Sequence, residues 1–195
     1  MGQSYPEMVE QACKGGADII QLRGKTVSKK DLVPLARELK EICHRYGALF
    51  IVNDDLDVAL EVEADGVHLG QEDLPLLEAK KQVGARSFLI GRSTHSLEQA
   101  LEAEKEGASY VALGPIFATP TKPGRKAVGL ELIKKYSAAL KTPFVAIGGI
   151  HLDNVEEVLK LGAPRIAVVR AVFEANNIEE SARALKEKIQ SYDAA

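Results

Sequence analysis

The residues best equipped for chemistry gather between Ile116 and Val128, where IFATPTKPGRKAV follows the apolar run YVALGP. Thr119, Thr121, Lys122, Arg125 and Lys126 stand there among Pro and Gly. Three cations and two hydroxyls beyond the carboxyl end of an apolar strand suit a clamp on a polyanion, because Arg and Lys give charge-assisted hydrogen bonds to phosphate and hydroxyls add neutral ones. A solvated surface loop carries the same residue types, so the loop alone does not choose between the two.

Other polar residues fall in matching places. Gln21, Arg23 and Lys25 follow one apolar run, Asn53, Asp54 and Asp55 a second, and Gln71, Glu72 and Asp73 a third. Ser93 and His95 end a fourth, Gly148 and Gly149 follow a sixth, and Arg170 closes a seventh. Asp54 and Asp73 belong to neighbouring strand ends, and two carboxylates with phosphate oxygens and water make a Mg²⁺ site. Asp73 also precedes Leu74-Pro75, where a helix N-cap is the ordinary role. Gly148-Gly149 and Val169-Arg170 sit where backbone N–H groups can approach a phosphate, although a tight turn uses glycine equally well. His68 reads as a hydrogen-bonded interior residue, His95 as part of a helix's first turn, and His44 and His151 as peripheral. No Cys-His or paired-His spacing points to zinc.

Positioning these residues is the work of alternating strands and helices. Apolar, β-branched runs at Asp18–Arg23, Phe50–Asp54, Gly66–Gly70, Phe88–Ser93, Tyr110–Gly114, Phe144–Gly149 and Ile166–Arg170 read as parallel strands covered on both faces. Amphipathic stretches lie between them, among them Asp31–Arg45, Leu97–Glu106 and Asn154–Leu161, and several end in Gly. The last helix is expected to start at Asn177 with a capping box to Glu180. This alternation predicts an α/β fold, a (β/α)8 barrel of TIM type in one domain over residues 1–195. A GxGxxG loop, which a doubly wound dinucleotide fold would carry, is absent. The chain opens with a helix, Tyr5–Lys14, so seven strands are read and the first barrel strand is missing. That leaves two edges to be covered, rearranged or paired with a second subunit, unless the natural protein begins earlier.

Composition narrows the partners. Across 195 residues the formal net charge is −3, with 46% apolar and 27% charged residues, an ordinary globular balance without the basic imprint of a nucleic-acid binder. No apolar run reaches the roughly 20 residues of a membrane span. The stretch MGQSYPEMVEQACKGG has no apolar core of a signal peptide, and Cys13 and Cys43 are few and widely spaced. The expectation is a cytoplasmic protein with reduced thiols, acting on small phosphorylated molecules, with neither nucleic acid nor membrane as partner.

Seven motifs in order, GGADIIQLRGK, IVNDDLDVAL, ADGVHLGQEDL, GRSTHS, YVALGPIFATPTK, VAIGGI and AVVRA, cover nearly the whole chain. Together they resemble the thiamine phosphate synthase family. The resemblance implies a (β/α)8 barrel, a transferase joining a pyrimidine-methyl pyrophosphate to a thiazole phosphate with release of pyrophosphate. It implies that Gln21, Arg23, Lys25 and Asn53 face the pyrimidine pyrophosphate, and that Asp54 and Asp73 hold Mg²⁺. It further implies that Ser93 and Lys122 contact the pyrophosphate, while Thr119, Thr121, Gly149 and Val169 line the thiazole phosphate site. Arg170 stands where many relatives carry Ser, and an Arg there still binds phosphate. Two alternatives stay open: the related thiazole tautomerase branch, which tends to have His where this chain has Pro115, and a non-catalytic ligand-binding paralogue.

Overall fold

The computed structural model describes residues 3–25, 27–120, 126–163 and 165–193. Its elements run α1 (Tyr5–Lys14), β1 (Ile19–Leu22), α2 (Lys29–Arg45), β2 (Leu49–Asn53), α3 (Leu56–Glu61), β3 (Gly66–Leu69), α4 (Leu76–Val83) and β4 (Leu89–Thr94). The second half continues with α5 (Leu97–Glu106), β5 (Tyr110–Leu113), α6 (Glu131–Ala139), β6 (Phe144–Ile147), α7 (Val155–Lys160), β7 (Ile166–Ala167), α8 (Arg170–Phe173) and α9 (Ile178–Asp193). The seven strands pair in parallel in chain order. This is the barrel-type α/β architecture expected, with seven strands curled into an open barrel. Among the described residues β1 and β7 each pair on one side only.

Local sequence explains the helix ends. Ser4 and Glu7 form a reciprocal capping box at the start of α1, and Ser28, Asp55 and Ser96 cap α2, α3 and α5. Each supplies an oxygen to an N–H that the first helical turn leaves unpaired. Asn177 does the same for α9 through the Glu180 N–H at 3.0 Å, so the helix begins one residue later than expected.

The strands have two unlike faces. Phe50, Val52, Val67, Leu69, Ile90, Val111, Leu113, Phe144 and Ala146 join Leu39, Ala79, Ala100, Ile133 and Val158 of the helices in one continuous core. The alternate residues point into the concavity and include Asn53, His68, Ser93 and Tyr110. The strands are thus covered on both faces, as the runs suggested, but the inner face mixes apolar residues such as the fully buried Ile51 with polar groups that bond across the inside. Curling is needed to satisfy that inside. Gln21 of β1 lies beside the Tyr110 hydroxyl of β5, whereas four spacings of a flat sheet would hold these strands roughly 19 Å apart.

Outside the gap between β7 and β1, α9 packs on α1, α7 and α8. The approach is close: a Cβ on Gly15 would lie 2.4 Å from the Glu179 carbonyl oxygen and 2.6 Å from the Ala182 Cβ. Lys186 of α9 reaches both oxygens of Asp18, just before β1, at 2.6 Å.

Inside the sheet, a Cβ on Gly66 would stand 2.3 Å from the Leu89 carbonyl oxygen and 2.9 Å from Ile51 Cδ1. We expect Gly66→Ala to destabilise the fold by about 1–3 kcal/mol through overpacking, seen as a lower midpoint in urea unfolding. An unchanged midpoint would mean that β3 and β4 can separate without cost.

Candidate functional site

The site forms at the carboxyl ends of the strands. β2 ends at Asn53, which is 9% exposed, and the chain then turns through Asp54 at φ +67°. A positive φ is costly for most side chains, and Asp is among the few that adopt it. The turn leaves Asp55 to cap α3 and brings the Asp54 carboxyl near enough to Asp73 for each to shift the proton affinity of the other. Lys25, from the loop after β1, stands 3.8 Å from Asp54.

Asp73 is not a helix cap. α4 starts at Leu76 behind Pro75 with no side-chain cap. Asp73 instead accepts the Gly70 N–H at 2.6 Å, leaving the pair facing each other across the ends of β2 and β3. Burial and the neighbouring carboxylate raise the Asp54 pKa, against the opposing charges of Lys25 and Arg23. Burial also pushes on Asp73, but its bonds to Asp54 and to the Gly70 N–H, with the charges of Lys25 and Arg92, hold it below the usual carboxylate range. The two therefore titrate as one unit, with Asp54 holding its proton the more tightly. A divalent cation can replace that proton, so the donor set fits Mg²⁺, with other ligands from substrate and water. Among the described residues no group of three or more His, Cys, Asp or Glu is placed to hold a metal.

Ser93, 8% exposed, lies on the inner face of β4, 2.9 Å from His68 Nε2. His68 is 5% exposed and its Nδ1 lies 3.0 Å from the Tyr110 hydroxyl. His68 thus has the interior, hydrogen-bonded character expected of it. Gln71 donates to the Ser93 carbonyl at 2.6 Å and Arg92, on the outer face, to the Leu74 carbonyl at 3.1 Å, so the loop bearing Asp73 is tied to β4. Tyr110 was not singled out from the sequence: it opens an apolar strand, and nothing local marks its hydroxyl as interior.

The cationic loop leaves from the end of β5 and its stems are pinned together, with the Val128 N–H bonded to Pro115 O at 2.8 Å. Thr119 and Lys126 lie on the two stems, whereas Thr121, Lys122 and Arg125 lie outside the described residues. Gly148 and Gly149 have φ of +102° and +68°. Added Cβ atoms there would meet Pro115 at 2.5 Å and Phe117 at 2.7 Å. These glycines let the end of β6 lie against the root of the cationic loop, beyond merely allowing a turn.

Three expectations change. β7 ends at Ala167, and Arg170 is the first residue of the four-residue α8, its guanidinium 4.0 Å from Glu174. Val169 is 46% exposed just before it. The chain turns into a helix there because α8 packs on α1 and α9 instead of extending the sheet. His95 precedes the Ser96 cap instead of lying in the first turn of α5, and its Nδ1 bonds the Gly114 carbonyl. Asp73, expected as a possible cap, is free of that duty.

The model of the family described as Thiamine monophosphate synthase matches residues 2–172. The chain belongs to this family of enzymes. It is 48% identical to the thiamine-phosphate synthase of Shouchella clausii over 185 residues, covering 94% of this chain and 88% of that protein. It is also 48% identical to that of Thermosynechococcus vestitus, covering 94% of this chain but 52% of the relative, so it spans about half the length of that protein. A solved thiamine phosphate pyrophosphorylase from Pyrococcus furiosus superposes with a TM-score of 0.90 at 41% identity, over 97% of this chain and 91% of the other. A 3-hexulose-6-phosphate synthase shares the fold alone, with a TM-score of 0.70 and 21% identity.

The carboxylate pair sets a pH dependence. Asp54 binds its proton more tightly folded than unfolded, so in metal-free protein its contribution to stability falls as pH rises from the usual carboxylate range through its raised folded pKa. Asp54→Asn removes that loss, keeps a donor toward Asp73 and suits the positive φ. We expect the metal-free variant to melt about 2–4 °C higher at neutral pH, with a smaller gain at pH 3. A gain independent of pH would assign the effect to backbone conformation alone.

Proposed function

We propose that this chain is a thiamine-phosphate synthase: a transferase that joins 4-amino-2-methyl-5-pyrimidinylmethyl pyrophosphate to thiazole phosphate, giving thiamine phosphate and pyrophosphate. The observation that carries the reading is the facing Asp54–Asp73 pair beside Lys25, at the strand ends where a barrel places its chemistry. Relatives of the same name at 44–48% identity agree with it.

In this reading Gln21 and Asn53 orient the pyrimidine, and Arg23, Lys25 and Lys122 bind the pyrophosphate with the Ser93 hydroxyl. Asp54 and Asp73 would hold Mg²⁺, which, when bound, supplies positive charge against the leaving pyrophosphate. The C–O bond of the pyrimidine-methyl group breaks with its electron pair passing to pyrophosphate, and the aminopyrimidine spreads the positive charge left on the methylene. The thiazole nitrogen then gives its lone pair to that carbon, forming the thiazolium. No net proton transfer is required, which suits a site rich in cations and hydroxyls. Charge stabilisation by preplaced donors is the main contribution of the protein. Thr119, Thr121, Gly149, Val169 and Arg170 would receive the thiazole phosphate.

The proposal includes a cytoplasmic location, with small phosphorylated molecules as partners. Neither nucleic acid nor membrane is expected to bind, and no described helix is long and apolar enough to cross a membrane. Pairing between subunits is one way to cover the outer edges of β1 and β7.

Mixing the purified chain with both substrates and Mg²⁺ is expected to yield thiamine phosphate and one equivalent of pyrophosphate. Arg23→Ala, Asp73→Asn and Lys122→Ala are each expected to reduce kcat/KM by about 100-fold or more with folding preserved. Substrate binding without product would favour a ligand-binding paralogue instead, and isomerisation of a thiazole carboxylate without coupling would favour the tautomerase branch.

A further inference from the structure

Tyr110, His68 and Ser93 come from β5, β3 and β4, yet they form one continuous hydrogen-bonded chain across the concavity. The Tyr110 hydroxyl lies 3.0 Å from His68 Nδ1, His68 Nε2 lies 2.9 Å from Ser93 Oγ, and Gln21 of β1 sits beside that hydroxyl. Backbone register sets it up, since His68 pairs with Gly91 and Gly91 with Tyr110 in adjacent strands. Gly91 is what lets the two rings meet. A Cβ there would lie 2.2 Å from Tyr110 Cζ, 2.5 Å from its oxygen and 2.6 Å from His68 Nδ1.

Donor and acceptor inventories give the chain a direction. Burial keeps the Tyr110 phenol protonated by raising its pKa, with Gln21 opposing in part. Tyr110 then has its own O–H to give to Nδ1. A neutral imidazole accepting at Nδ1 carries its proton on Nε2, and that N–H donates to Ser93 Oγ. With an oxygen already accepting, Ser93 turns its own proton outward, toward the mouth.

We infer that Tyr110, His68 and Ser93 form a one-directional hydrogen-bond relay that presents the Ser93 hydroxyl as a donor to the anion in the mouth, with Tyr110 and His68 as positioning residues. The inference rests on the proposed synthase reading only for the identity of that anion, the departing pyrophosphate. Its physical benefit is preorganisation: a hydroxyl with its rotor fixed needs no reorientation as negative charge develops.

Two measurements decide it. Long-range ¹H–¹⁵N NMR of the full-length protein labelled at histidine should show the His68 ring protonated at Nε2 and accepting at Nδ1, and Tyr110→Phe should lose that fixed tautomer. A ring protonated at Nδ1 overturns the relay, whether or not the protein makes thiamine phosphate, so this result is separate from the fate of the functional reading. In steady-state assays with both substrates and Mg²⁺, Tyr110→Phe should lower kcat about tenfold with the KM for thiazole phosphate unchanged. His68→Gln, which keeps a donor toward Ser93, should stay within about threefold of the parent, whereas His68→Leu should fall at least as far as Tyr110→Phe. Gly91→Ala removes no donor but separates the rings, and should reproduce the Tyr110→Phe kinetics. Parent-like kcat in Tyr110→Phe, or equal losses in His68→Gln and His68→Leu, would overturn the proposal. Should His68→Leu or Gly91→Ala fail to fold, Tyr110→Phe and the NMR measurement still decide.

Discussion

A polar side chain on the inner face of a curled sheet has lost most of its water and must find its partner on another strand, because an unsatisfied buried donor or acceptor costs about 1–3 kcal/mol. That constraint organises the concavity here. Parallel register brings His68, Gly91 and Tyr110 into one row across three strands, and the absence of a side chain at Gly91 converts that row into a hydrogen bond. Among the described residues no buried side-chain nitrogen or oxygen lacks a partner. The outer face follows the opposite rule. There Phe50, Val67, Val111 and their neighbours meet the helices in a core from which water is excluded.

Charge at the mouth obeys the same economy on a larger scale. Asp54 and Asp73 repel one another when both are ionised, and the fold offsets this by a raised proton affinity at Asp54 and by setting Lys25 and Arg23 nearby. Such an arrangement is poorly satisfied alone and well satisfied by a cation and an anion together, which fits a pyrophosphate arriving with its metal. The glycines at 148 and 149 serve that end of the molecule differently, by letting the end of β6 close on the root of the cationic loop.

Much of this was readable before folding was considered. All seven strands and their parallel order follow from short β-branched runs separated by amphipathic stretches, and α1 and α5 have the bounds their patterns predict. The polar strand ends were legible for the same reason: in a parallel barrel every carboxyl end points to one mouth. What escaped was anything requiring a second strand. Tyr110 carries no local mark of its role, Asp73 looks like a helix cap until Pro75 is seen to take that position, and Arg170 reads as strand until α8 packs on α1 and α9.

The linear order of residues was thus enough to set the family, the alternation of elements and the kinds of group gathered at the mouth, since these depend on periodicity and on residue chemistry carried by each segment alone. Tertiary structure alone decided which carboxylate faces which, how far the sheet curls and which hydroxyl meets which imidazole. Those are relations between atoms on strands distant in sequence, and they exist only once register and curvature have brought the strands together.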